Sequence, residues 1–378
     1  MERLYFDYNA SAPVAAGLPE QIATWLKTDF KNPSSSHQEG QSAKAIIEKS
    51  RKTTLRLLGA AEGDKLFFTS GGTESNNSVL HSAFLNRGAR KKLLLTRIEH
   101  SCVYNYARFL ETQGAELVWI DVDRHGRVDL EAYEKQLTSD VFLMCAMLVN
   151  NETGFILPIA DIAARARTKG IQSHCDVVCA AGKIPLSFSE LGVDSITFSS
   201  HKFGGLKGCG GVIFKSGAKI SSYLIGGPQE VEKRAGTQNV IGIAASAYAL
   251  ESWLSALPEE LGSEAILRER LKQRILEAYP RAAFLESTHN TLQTLSTIFK
   301  GLNGNVLLTA LDLEGVAASY GSACASGSLE VSRVIKELGL QFDEARATIR
   351  LSFGHGITAQ HIDEFGRRLA RVVQKMQS

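Results

Sequence analysis

Along the first two-thirds of the chain, short apolar runs alternate with stretches in which apolar residues recur every three or four positions. Runs of strand length fall at 66–69, 92–96, 117–121, 141–149, 172–176, 195–198 and 211–214. Helical periodicity fills 42–58, 76–85, 129–137 and 159–169 between them. This alternation predicts a mostly parallel sheet covered by helices, in which ligands gather beyond the carboxyl ends of the strands. A further helix is expected over 240–254, and Leu257-Pro258 after it reads as a boundary. Beyond it a helix, strands at 293–299, 315–320 and 348–353, and a terminal helix over 362–376 suggest a smaller α+β unit. The fold expected is therefore α/β, a large domain over 16–257 with a C-terminal domain over 258–378, which residues 1–15 join.

Composition narrows the function classes. The net charge of +2 on 378 residues, with no basic run, gives no reason to expect nucleic acid. Met1-Glu2-Arg3-Leu4 leads straight into a strand pattern, and no apolar stretch was expected to reach the roughly 18 residues of a membrane span. Six cysteines without CxxC or other metal-ligand spacing read as reduced thiols of a soluble, cytoplasmic protein, with no metal site expected.

Candidate chemistry sits at the predicted strand ends. Ser199-Ser200-His201-Lys202 closes an apolar run, which would draw the lysine inward, where an amine becomes useful as a nucleophile. Asp176, at the end of an earlier strand, could hold a pyridinium nitrogen while Lys202 carries an aldehyde, the division of labour that pyridoxal phosphate (PLP) requires. An Asp and a Lys that merely lie in loops is the competing reading. Thr69-Ser70-Gly71-Gly72-Thr73 leads from strand to helix, as either a phosphate cradle or a capped glycine turn. It is not a Walker loop, because no Gly-Lys-Ser/Thr follows. His100 could lie against a planar cofactor or be a satisfied structural group. Asn150 and Asn151 could orient a substrate carboxylate or a cofactor hydroxyl, which makes Asn151 a cofactor-binding candidate, or could make a turn. Cys324 lies among Gly, Ser and Ala, before a helix whose apolar face would be Val331, Val334, Ile335 and Leu338. It reads as a reactive thiol or a buried structural one.

Taken together, these segments resemble the cysteine desulfurases of the NifS/IscS type, in the class V aminotransferase group of fold-type I PLP enzymes. The likeness runs through Tyr5-Phe6-Asp7-Tyr8-Asn9-Ala10, Asn32-Pro33-Ser34-Ser35-Ser36-His37, Thr69-Ser70-Gly71-Gly72-Thr73-Glu74-Ser75-Asn76 and Asn150-Asn151-Glu152-Thr153-Gly154. It continues in Gly182-Lys183-Ile184-Pro185, Ser199-Ser200-His201-Lys202, Arg234-Ala235-Gly236-Thr237, Gly321-Ser322-Ala323-Cys324 and Arg350-Leu351-Ser352-Phe353-Gly354. The resemblance implies that Lys202 carries PLP and shuttles the α-proton, that Asp176 pairs with the ring nitrogen and that His100 stacks on the ring. It implies Gly72, Thr73, Ser199 and His201 at the phosphate, and Thr237 reaching the phosphate of a partner subunit in a homodimer. Asn151 and Arg350 would bind the α-carboxylate of L-cysteine. Cys324 would take its sulfur as a persulfide, for transfer to a scaffold protein or a thiolation enzyme.

Cys179 stands where the family usually has a Gln that donates to the cofactor's phenolic oxygen. Gly204-Gly205-Leu206, Gly226-Gly227-Pro228, Val331 and His355 also depart from the usual pattern, and a C-terminal extension found in some relatives looks short or missing. Two other readings stay open: a related PLP lyase or aminotransferase acting on selenocysteine or cysteine sulfinate, and a non-catalytic PLP-fold partner protein. Cys324 favours the desulfurase over the first, since a sulfinate lyase or transaminase does not need a persulfide thiol, and the intact Asp176, Lys202, His100 and Cys324 argue against the second.

Overall fold

The computed structural model describes residues 2–28, 31–321 and 331–377. After a short strand β1 (Leu4–Tyr5), the large sheet is built from β2 (Lys65–Thr69), β3 (Lys92–Thr96), β4 (Glu116–Ile120), β5 (Val141–Met147), β6 (Gln172–Asp176), β7 (Ser195–Ser199) and β8 (Gly210–Phe214). Their order is β2-β8-β7-β6-β5-β3-β4, parallel throughout except for β8, which runs antiparallel to both neighbours. Every residue of β5 is buried, which is why that strand reads as an unbroken apolar run rather than an alternation. The carboxyl ends of β3, β5, β6 and β7 therefore open on one edge of the sheet. Gly210 lets the neighbouring loop close over β8: a Cβ there would stand 2.6 Å from the Phe198 carbonyl oxygen and 2.7 Å from Gly71 Cα.

A second, antiparallel sheet has the order β12-β10-β9, from β9 (Ala282–Leu285), β10 (Thr294–Phe299) and β12 (Thr348–Ser352). β9 was not foreseen, and the strand expected over 315–320 shortens to β11 (Val316–Ala317), which pairs with β1. The break expected at Leu257-Pro258 is absent too. One helix, Val240–Ala278, continues through Pro258. The proline costs about 3 kcal/mol in a helix interior, but the apolar stripe resumes beyond it, with Leu267, Leu271 and Ile275 buried against the second sheet. By length and composition this helix could also cross a membrane, contrary to the sequence expectation. In the fold, 61% of its most apolar window is packed inside the protein.

The N-terminal segment joins the two sheets. Tyr8 N–H donates to the Ser352 carbonyl, and Ala12 N–H to that of His201. Asn9 is thereby placed over the open edge of the large sheet.

Candidate active site

A cavity of about 220 Å3 lies at that edge. It is lined by Gly72, Thr73, His100, Asn151, Asp176, Cys179, Ser199, His201, Lys202 and Arg350. The sequence-predicted residues outside it are Thr237, which is exposed on the surface, and Cys324, which lies outside the described residues.

One corner suits an anion. Helix Gly72–Leu85 starts from Gly71 at φ 153° with no side-chain cap, so its first N–H groups keep their donor capacity. A Cβ on Gly72 would stand 2.9 Å from Val178 Cγ2, so the backbone makes room there that a side chain would fill. His201 Nδ1, in the cavity wall, is buried without a partner. Burial, with Lys202 and Lys207 nearby, pushes the His201 imidazole down to about 4. Glu74 in the first turn would repel an anion, but its carboxylate is held by Arg234 at 2.8 Å and by Ser70 N–H at 2.8 Å. Those bonds outweigh the opposing effect of burial and lower its pKa.

The opposite side is braced within the chain. Asp176 ends β6, with Oδ2 accepting from Asn76 Nδ2 and Oδ1 from Val178 N–H, both at 2.8 Å. Burial pushes its carboxyl upward, opposed by His100 and by those hydrogen bonds. A cationic partner such as a pyridinium would relieve that burial. Asn76 is itself fixed by Thr197 Oγ1 at 2.7 Å and His174 Nε2 at 2.9 Å.

Lys202 leaves β7 in a one-turn 3-10 helix, Ser200–Lys202, and its ammonium donates to the carbonyls of Asn9 and, at 3.3 Å, Ala10. Asn9 Oδ1 takes a second ammonium, Lys183 Nζ, at 2.7 Å. Lys183 is wholly buried, which pushes it down to about 8. Arg350, on β12, donates to Asp7 Oδ1 at 2.7 Å and to the Asn151 carbonyl at 2.8 Å. Its Nε–H and Asn151 Oδ1 remain buried and unpartnered.

These groups fit PLP: an unpartnered imidazole nitrogen and an uncapped helix start for the phosphate, a buried carboxylate for the ring nitrogen, and an amine beside them. Cys179 is buried against the cavity, as its position three residues beyond Asp176 requires. Gly204 and Gly205 are locked by packing, since Cβ atoms there would meet Trp253 Nε1 at 2.6 Å and Ser200 Oγ at 1.9 Å. His355 lies outside the cavity, 4.4 Å from the Trp253 ring and 3.2 Å from Glu260.

The segment carrying Cys324 is flanked by Gly321 and Ser332, which meet at Glu152. Ser332 Oγ donates to Glu152 Oε2 at 2.5 Å, and a Cβ on Gly321 would stand 2.9 Å from Ser332 Cβ. The helix expected through Val331 and Leu338 is only Arg333–Glu337, and the Ser332 hydroxyl already caps its Ile335 N–H. Sequence reasoning assigned no role to Asn76, Lys183 or Glu152. Each lay inside a quoted motif, and only the fold shows what it touches.

The Aminotransferase class-V family profile matches residues 4–365. Among curated proteins, a cysteine desulfurase of Nostoc sp. is 35% identical, over 100% of this chain and 94% of its own length. The cysteine desulfurase IscS of Dictyoglomus turgidum is 36% identical, over 99% and 95%. Among solved structures, a NifS-like protein superposes with a TM-score of 0.92 at 31% identity, covering 99% of this chain and 100% of that one.

Proposed function

The chain belongs to the aminotransferase class-V family, within which it is a PLP-dependent cysteine desulfurase of the NifS/IscS type, and from that premise we propose how its own residues share the work. The observation that carries the assignment is the single cavity in which Asp176, His100, Lys202 and the uncapped helix start converge. When bound, PLP supplies an electron sink for the α-carbon of an amino acid. Gly72, Thr73, Ser199 and His201 hold its phosphate, Asp176 its ring nitrogen, and His100 the face of its ring. Cys179, in the cavity wall, would border its phenolic oxygen. Lys202 carries the cofactor and moves the α-proton.

Asn151 and the unpaired Nε–H of Arg350 bind the carboxylate of L-cysteine. The Cys324 thiolate takes the substrate sulfur. The substrate's Cβ–S bond breaks, an S–S bond forms on Cys324, and Cβ gains a proton to give alanine. A sulfur-acceptor protein, a cluster scaffold or a thiolation enzyme, then receives the persulfide sulfur.

The protein works as a homodimer in this reading, with Thr237 serving the partner's phosphate site. Two features support it: Thr237 is exposed outside its own cavity, and the adjoining turn is firmly anchored. Glu230, buried at a positive φ of 49°, accepts from Arg51 at 2.8 Å and from Phe68 N–H at 2.7 Å. The two domains divide at 257/258, within the long helix, with residues 1–15 joining the smaller one. The five described cysteines are free thiols, which supports a reducing, cytoplasmic setting.

The test is the visible spectrum of the purified protein, followed by sulfide and alanine released from L-cysteine with a thiol reductant. Equal amounts of both products are expected. Yellow protein that leaves cysteine untouched would overturn the substrate. Cys324→Ala should keep the absorption and lose sulfide release, and retained desulfuration would remove Cys324 from its role.

A further inference from the structure

His100 caps the helix Ser101–Thr112, and its Nδ1 accepts the Cys102 backbone N–H at 3.2 Å. An amide N–H can only donate, so this nitrogen must keep its lone pair. The Cys102 sulfur stands 3.1 Å from the same Nδ1. That sulfur also receives Asn76 Nδ2 at 3.5 Å, while the same amide group donates to Asp176 Oδ2 at 2.8 Å. Flipping Asn76 would turn its Oδ1 onto the Asp176 carboxylate oxygen, acceptor against acceptor, so the amide hydrogens stay on this side. The sulfur is thus supplied with donors by Asn76 and the Thr73 side chain, and its own S–H is left to point at the imidazole.

We propose that Cys102 is a positioning residue for His100, holding the imidazole with Nδ1 as acceptor and its proton on Nε2. Held this way, His100 offers a hydrogen-bond donor at the edge not tied to the helix. It could take up a proton only at Nδ1, against the helix amide. Removal of the substrate α-proton therefore stays with Lys202. The inference deepens the proposed role of His100 and rests on that reading for its consequence in catalysis, though not for the tautomer itself. The surrounding charges agree with it. Burial lowers the His100 pKa, Lys202 and Arg333 add to this, and Asp176 opposes them. Burial and the nearby Asp176 and Glu99 push the Cys102 thiol up to about 12, despite the Asn76 bond, which keeps the S–H in place at neutral pH.

The test is 15N NMR of histidine-labelled protein, without and with PLP, with His100→Gln removing the signal to be assigned. Wild-type protein should show an unprotonated Nδ1 and a protonated Nε2 across pH 6–8. Losing the S–H donor removes support from the neutral ring. Cys102→Ala should therefore raise the titration of His100 by roughly half a pH unit, about a threefold change in proton affinity. Cys102→Ser should restore most of it. An Nδ1–H tautomer or an imidazolium at pH 7 in the wild type overturns the proposal without any variant. An unchanged titration in Cys102→Ala overturns the part given to the sulfur. Because the tautomer is read in the apoprotein as well, a failed cofactor or substrate assignment leaves this result standing and is recognised separately.

Discussion

The two sides of the cavity follow opposite rules. Around Asp176, nearly every polar atom already has a partner within the chain: Asn76 is held by Thr197 and His174, and Val178 N–H closes the carboxylate. Around the helix start at Gly71, the donors stand open, and His201 Nδ1 is buried with nothing to bond. A buried orphan costs about 1–3 kcal/mol, so the open corner is the one whose energetics a bound anion completes. The braced side fixes orientation in advance, and there a ligand finds its contacts already aimed. Completed by the chain on one side and by the ligand on the other, the cavity can hold PLP in one pose.

The largest expected effect comes from the amine between the two sides. Lys202→Ala should abolish the visible absorption of bound PLP and lower sulfide release by at least about a thousandfold. Both carbonyls of Asn9 and Ala10 that now accept from Lys202 would lose that donor, so a far-UV spectrum should be recorded to show that the fold persists. Substantial turnover in a folded variant would break the assignment.

Next in size is a substitution confined to the open corner. Gly72→Ala places a Cβ against Val178 Cγ2 and crowds the approach to the first-turn N–H groups. PLP affinity, followed by titrating the apoprotein, should weaken roughly tenfold, about 1.4 kcal/mol. Chemical steps at the braced side should change far less, so kcat at saturating PLP should stay close to wild type. A fall in kcat with affinity unchanged would mean that the two sides are not separable.

That separation also explains what could be read from the sequence. The open corner was legible because its chemistry is local. Thr69-Ser70-Gly71-Gly72-Thr73 and Ser199-Ser200-His201-Lys202 are contiguous, and each announces a strand end. The bracing was not legible, because Asn76 reaches Asp176 across 100 positions and Lys183 reaches Asn9 across 174. Those contacts exist only once helix Gly72–Leu85 lies against the sheet and the N-terminal segment crosses its edge. The uninterrupted helix through Pro258 was hidden for a similar reason. Local propensity argues for a break there, and the burial that overrides it comes from a sheet still distant in the chain.

The last effect is on stability rather than activity, and it tests a flaw on the braced side. Glu99, next to His100, is fully buried, with one carboxyl oxygen accepting Thr96 Oγ1 at 2.5 Å and Met147 N–H at 2.9 Å. Its other oxygen, Oε2, has no partner. Burial raises its pKa to about 8 from 4.5, against the pull of those hydrogen bonds. The folded protein therefore binds a proton here that the unfolded chain releases, and stability falls as pH rises from about 4.5 to about 8. Glu99→Gln removes that titration. The variant should gain stability relative to wild type as pH climbs through this window, by an amount on the order of 1–3 kcal/mol. Urea midpoints at pH 5 and pH 8 measure the difference directly. Equal pH slopes in the two proteins would mean that Glu99 is already ionised and compensated, and the braced side would then hold two buried carboxylates rather than one.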